Sequence, residues 1–363
     1  MAYSNPIFDA RRAAEDLRAA TRALKDARIA KDRVKALSRT IKAYEDGLAA
    51  MRDSLRKAAI RERALRLELA SRRDQLSQLL GVLQTLERAS APLLLIHPSG
   101  PLGTARAGQI LTEITPALVA QAKELRAQVE EIVLLKSLQS TAREDLQQGL
   151  KGVQDARLSL TRALGQRTNL PKRFTTDPAK LKTLLENSDT LTGFANGLVD
   201  LPFDSTTQTG AISPKSFSDA KGEIPLPVFG TILRRYKEAD AAGLRRPGIL
   251  ISAPAVSLVT APWAATVRYR GPLLDYGNVI ILEPEAGYLI VLAGLGQVYG
   301  EVGEILAAGD PIGLLSGQEP TTDDFLVEAT QGSGKIQLET LYVEIRQNRK
   351  TVDPEAWFAR QNR

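Results

Sequence analysis

Leu341-Tyr342-Val343-Glu344-Ile345-Arg346 is the clearest of five short β-rich runs in the last third of this chain. The others are Ile249–Ile251, Thr266–Tyr269, Asn278–Leu282 and Tyr288–Leu292, and Gly and Pro turns separate them. That spacing is typical of an all-β module, and it predicts a β-domain over residues 223–363. Immediately upstream, Asp204 to Lys221 is rich in Ser, Thr, Gly and Pro and has almost no apolar periodicity. It reads as a flexible linker, assigned to residues 204–222.

Before the linker lies a short helical arm, residues 170–203. Asp177-Pro178 pairs a good N-cap with a proline suited to the first helical position. The helix it opens carries Leu181, Leu184 and Leu185 on one face, and a second helical piece carries Leu191, Phe194 and Leu198. That apolar face must be buried somewhere, either on the preceding helices or in a groove of the β-domain.

Residues 1–169 read as a coiled-coil hairpin. From Pro6 to Ser90 one heptad ladder runs through Ala13, Leu17, Ala20, Leu24, Ala27, Val34, Ile41, Tyr44 and Leu48, and continues to Leu86. Spacings of three and four sustained over about eleven heptads mark a coiled-coil seam. As one helix it would be on the order of 120 Å long. Lys31, Ser38, Glu62 and Arg72 interrupt the seam. Pro92, Pro98, Gly100, Pro101 and Gly103 break the helix, and a return helix begins near Ala105. Its seam, from Leu111 to Ala163, carries Gln121, Gln128 and Gln139, read as register-fixing. At the tip, Leu93-Leu94-Leu95-Ile96 is either a small closing core or a docking patch for a partner. His97 follows it as a surface or structural residue.

Composition narrows the function classes. There is no cysteine and a single histidine, which removes disulfides, thiol catalysis and thiolate metal sites. Lys and Arg number 48 against 42 Asp and Glu, a net +6, with the charges interspersed along the helices. Aromatics make up 5%, and none interleave with basic runs, so no nucleic-acid partner is expected. No stretch of about 18 apolar residues is present to span a membrane. Met1–Pro6 lacks the apolar core of a signal peptide, as expected of a mature form given an initiator Met.

The β-rich region resembles the LytM/lysostaphin-type zinc endopeptidases. Asp275-Tyr276-Gly277-Asn278-Val279-Ile280-Ile281 matches that family's GYGN strand pair, Gly309-Asp310-Pro311-Ile312-Gly313 its G-[DQ]-x-I-G hairpin, and Val352-Asp353-Pro354…Trp357 its closing V-D-P…W. The resemblance implies metal ligands where this chain has others. Arg246 and Leu250 stand in for the H-x-G-I-D pair, and Glu283 for a histidine after the strand pair. Leu292-Ala293-Gly294-Leu295 replaces Y-x-H-L, and Tyr342 replaces the histidine of an L-H-F-E-I-R strand. A catalytic zinc needs three protein ligands and an open position, which this set does not supply. Glu283, Glu339 and Glu344 alone would favour harder cations.

The whole arrangement is an α+β multidomain chain: a long antiparallel coiled-coil hairpin, a short helical arm and an all-β degenerate LytM domain. It resembles the EnvC-like murein hydrolase activators of Gram-negative bacteria. That likeness implies a non-enzymatic periplasmic protein with no cofactor, which switches on cell-wall amidases for daughter-cell separation. Its implied partners are an amidase, the FtsEX membrane complex through the coiled coil, and peptidoglycan. It also implies that the arm covers the groove until the coiled coil is pulled. Leu250, Tyr276, Leu292 and Tyr342 would line the groove, with Glu283 and Glu344 beside them. Arg246 and Arg346 would pair with carboxylates of an incoming helix. Read from the residues alone, Tyr276 and Leu292 could be core, and Arg346 with Glu344 a structural ion pair. An active endopeptidase and an efflux or secretion adaptor are the alternatives. The adaptor is disfavoured because residues 1–12 supply no strand for a split β-domain.

Overall fold

The computed structural model describes residues 6–29, 32–71, 77, 81, 100–166, 178–200, 216–240, 243, 245–331 and 337–359. Long helices form the N-terminal part and an antiparallel sheet the C-terminal part. The tip residues Leu93–Ile96 and His97 lie outside the described residues.

The expected single helix over 6–90 is not what the chain forms. Helix α1 (Pro6–Ile29) ends and α2 (Arg33–Ser71) begins afresh, with the Asp32 carboxylate accepting from the Lys35 N–H at 3.1 Å as its cap. Lys31, which interrupts the ladder in the sequence, lies outside the described residues. Lys57 of α2 lies 3.7 Å from Asp9 of α1, so α1 runs back antiparallel along α2. Leu17 fills a gap between Gly47 and Gly149, where an added Cβ would meet its side chain at 2.9 Å and 3.1 Å. Heptad residues of α1 therefore face a three-helix base and do not lengthen a rod.

Helix α3 (Gly100–Gly165) returns antiparallel to α2, starting earlier than Ala105. Arg61 forks onto Glu131 at 2.8 and 3.0 Å near one end, and Arg157 reaches Glu45 at 3.0 Å near the other. The described polar interruptions of the seam, Ser38 and Glu62, are satisfied in place. The Ser38 hydroxyl donates to the Val34 carbonyl at 2.8 Å, and the Gln139 amide donates to Glu62 at 2.9 Å.

The sheet contains β1 (Thr231–Arg234), β2 (Ile249–Pro254), β3 (Leu258–Thr260), β4 (Ala265–Pro272), β5 (Asn278–Glu283), β6 (Tyr288–Val298), β7 (Ile305–Leu306), β8 (Pro311–Leu315), β9 (Leu338–Gln347) and β10 (Lys350–Val352). Its main order is β1-β2-β9-β6-β5-β4-β7; β10 extends β9, and β8 links β3 to β6. Side chains alternate across the strands. Ile249, Ile251, Ile290, Leu292, Leu341, Val343 and Ile345 enter one core. Leu250, Val291, Ala293 and Tyr342 face the other way.

Two features were not expected. The domain is not purely β, because a helix (Thr322–Gln331) is inserted between β8 and β9 and packs on α2. Nor does it begin at 223. Phe217 is buried and stacks on Trp357 at 4.5 Å between ring centroids, and the Gly222 N–H donates to the Trp357 carbonyl at 2.9 Å. Residues 216–222 thus belong to the β-domain and not to a linker. Ser and Gly masked the one aromatic that anchors the segment.

The helices and the sheet share a joint. Leu258, Tyr299, Leu314 and Phe325 enter the same apolar cluster as α1, α2 and α3. Across it Arg157 binds Glu319 as well as Glu45, and Glu45 accepts from the Leu258 N–H at 2.9 Å. The prediction from this packing concerns Phe217. Phe217→Ala should destabilise the β-domain by about 3–5 kcal/mol, the cost of a truncated buried aromatic. Urea unfolding followed by Trp fluorescence reads it; a shift near zero would mean the segment is a linker after all.

Candidate functional site

The site is the sheet face carrying Tyr342, Glu344 and Arg346, which alternate along β9 and so point the same way. Leu250 is the register partner of Tyr342 on β2. Tyr276 approaches Tyr342 with ring centroids 5.7 Å apart, and the Arg246 guanidinium lies over the Tyr276 ring at 5.8 Å. Gly248 leaves the room that the Tyr342 ring occupies, since a Cβ there would meet its Cε2 and Cζ at 2.6 Å. Arg246, Leu250, Tyr276 and Tyr342 are thus neighbours on this face.

Leu292 is a correction. It points into the opposite core and is fully buried there, while its neighbours Val291 and Ala293 face the site. A period of two makes a one-residue error a change of face. Glu283 does face the site, and its carboxylate is paired with Arg268 at 2.9 Å.

The face is covered by the arm. Helices α4 (Pro178–Glu186) and α5 (Leu191–Asp200) lie on it, and Leu191, Phe194 and Leu198 are buried in one cluster with Tyr269, Val279, Val291 and Tyr342. Leu181, Leu184 and Leu185 pack against that cluster from outside. Phe194 meets Tyr269 edge-on at 4.7 Å.

Polar contacts fix the arm in place. Arg346 is 0% exposed; it donates to Glu344 at 2.6 Å and to the Asn196 side-chain carbonyl of α5 at 2.6 Å. The Tyr342 hydroxyl donates to the other Glu344 oxygen at 2.6 Å. Arg346 is thus a buried structural charge in this state, not an exposed one awaiting a partner. Arg268, also buried, donates to Glu283 and to the Leu198 carbonyl at 2.8 Å, satisfying a carbonyl near the end of α5. Asn196, Arg268 and Tyr269 were missed by sequence reasoning. The available signal was an Asn between Phe194 and Leu198 on an otherwise apolar helix.

Burial pushes the Glu344 carboxyl above the usual carboxylate range, against the opposing pull of Tyr342 and Arg346. Burial also pushes the Tyr342 hydroxyl far up, reinforced by Glu344 beside it, so it remains a donor at any physiological pH. Among the described residues, no group of three or more His, Cys, Asp or Glu could hold a metal ion.

Residues 245–354 match Peptidase family M23. The matched span holds every groove residue named above; the long helices and the arm lie outside it. The murein hydrolase activator EnvC of Escherichia coli is 29% identical over 140 residues, 39% of this chain and 30% of its own length. An uncharacterised protein of Neisseria meningitidis is 29% identical over 150 residues, 41% of this chain and 22% of its own. The alignments thus span less than a third of these relatives. The solved structure of Helicobacter pylori Csd3 overlaps 39% of this chain and 38% of its own, with 18% identity and a TM-score of 0.29.

The raised Glu344 carboxyl gives a signed pH test. A carboxyl whose folded value lies above its unfolded one favours the folded state most when protonated, and that contribution is lost as pH rises from the unfolded value through the folded one. The stability of the wild type relative to Glu344→Gln should therefore improve as pH falls from neutral toward about 4.5. Urea midpoints at several pH values measure it; a gap that widens against the wild type on acidification would reverse the assignment.

Proposed function

We propose that this chain is a non-enzymatic activator of peptidoglycan N-acetylmuramoyl-L-alanine amidases, working in the periplasm during cell division. The M23 domain and the similarity to a murein hydrolase activator support a role on peptidoglycan. The finer reading is carried by one observation: α5 sits on the Tyr342–Glu344–Arg346 face, where the LytM resemblance implies a metal-ligating histidine in place of Tyr342. A surface that already binds an amphipathic helix by its apolar side is suited to bind another. An amidase helix would displace the arm, and the exchange would expose the amidase's own site.

The arm then inhibits by competition at the high local concentration that a tether supplies. If the groove is open 1% of the time, apparent affinity falls about a hundredfold. In this reading the FtsEX complex engages the helical part and shifts that balance. The lining of Tyr and Leu with Arg246 at its rim suits a helix carrying apolar anchors and a carboxylate.

Dye release from labelled cell-wall sacculi tests the proposal with the full chain. Neither wild type nor Phe194→Asp should release dye alone. With a periplasmic amidase from the same organism, Phe194→Asp should release it several-fold faster than wild type, within the roughly hundredfold limit above. Chelator-sensitive release by the protein alone would make it a hydrolase. Equal stimulation by both forms would mean the arm does not inhibit.

A further inference from the structure

A cleft of about 550 Å³ lies at the joint between the helices and the β-domain, sharing no lining residue with the arm-covered groove. Its apolar wall includes Leu48, Leu150, Val153 and Phe325. Its charged lining is three carboxylates, Glu45, Glu319 and Glu328, against two guanidiniums, Arg52 and Arg157. Ligand sites favour such apolar walls with a few convergent polar groups at domain junctions.

Three of the lining residues each carry a buried polar atom without a hydrogen-bond partner among the described residues: Glu45 Oε2, Glu328 Oε2 and Arg157 Nε. The Glu45 and Arg157 side chains are 8% and 10% exposed. Their other atoms are fully engaged. Glu45 Oε1 binds Arg157 and the Leu258 N–H, and Arg157 Nη1 binds Glu319 at 3.0 Å. Glu328 Oε1 is 3.7 Å from Arg52. Glu45 and Arg52 are two turns apart on α2, about 10 Å along its axis. Buried acceptors left in this way are costly, and their natural complement is a cationic donor.

We propose that this cleft binds a peptide through a lysine-type alkylammonium group. The ammonium donates to the free oxygen of Glu328, and its alkyl stem lies along Leu48, Leu150 and Val153 toward Arg157. A backbone carbonyl of the same residue accepts from Arg157 Nε. An alkylammonium supplies three donors on an apolar stem, which neither an alcohol nor a carboxylate of equal length does. Bound there, the peptide touches both the helices and the β-domain and so holds the joint together.

Saturation-transfer NMR on the full chain tests this with Nα-acetyl-lysine amide and, as the uncharged control, Nα,Nζ-diacetyl-lysine amide. The first should bind saturably and the second about tenfold more weakly, the size of one lost charge-assisted hydrogen bond. Glu328→Gln should weaken the first ligand and not the second. Ala49→Trp, which fills the cleft from a half-buried lining position, should abolish both with an unchanged circular-dichroism melt. Equal binding of the two ligands, no saturable binding, or indifference to Ala49→Trp would each overturn the proposal.

Discussion

Arg346 is a guanidinium with no exposure to solvent, and its hydrogen bonds hold the sheet and the arm together. A charge taken out of water is tolerated only when its donors are matched, and breaking such a pair costs far more than the pair gains. Glu344 matches it from the same strand, and Tyr342 completes the carboxylate. Asn196 is the contribution from α5, so the arm supplies a hydrogen bond that the buried charge requires. Lifting α5 removes that bond and leaves the same nitrogen only the longer contact to the Arg349 carbonyl at 3.3 Å. In the proposed exchange, Arg346 is the side chain that couples release of the arm to arrival of a partner.

The joint at the other side of the β-domain follows the same logic with different residues. Arg157 serves Glu45 on α2 and Glu319 before the inserted helix, and Glu45 takes the Leu258 amide of β3. Burial pushes the Glu45 carboxyl up, with Arg157 and the Leu258 amide opposing it. Together with the inserted helix on α2, these contacts form a continuous path from the long helices into the sheet. Arg143–Asp323 at 2.7 Å adds a surface contact along that path, of little energy by itself.

Much of this was legible in the sequence where a local rule sets the outcome. The β-rich runs formed strands, and a helix begins at Pro178 as the Asp-Pro pair led one to expect. Leu181 through Leu198 declared an apolar face that had to be buried. What escaped notice depended on long-range packing. The seam of α1 is indistinguishable from a continuation of α2, because the same heptad faces a partner in either direction. Leu292 sits in a continuous apolar run, where nothing local says which parity faces which core. Phe217 is one aromatic in a polar stretch, and only Trp357 across the fold gives it a place. Asn196 looks like a helix surface residue until Arg346 is opposite it.

If α5 occupies the groove at rest and leaves when a partner helix arrives, the exchange is readable as a distance. The chain has no cysteine, so Thr192→Cys and Asp275→Cys, both exposed, would be the only thiols available for spin labels. Pulsed dipolar spectroscopy of the full chain should give one short, narrow distance between them. Adding the amidase should replace it with a longer, broad distribution. An unchanged short distance at saturating amidase would mean that partner and arm do not share the groove.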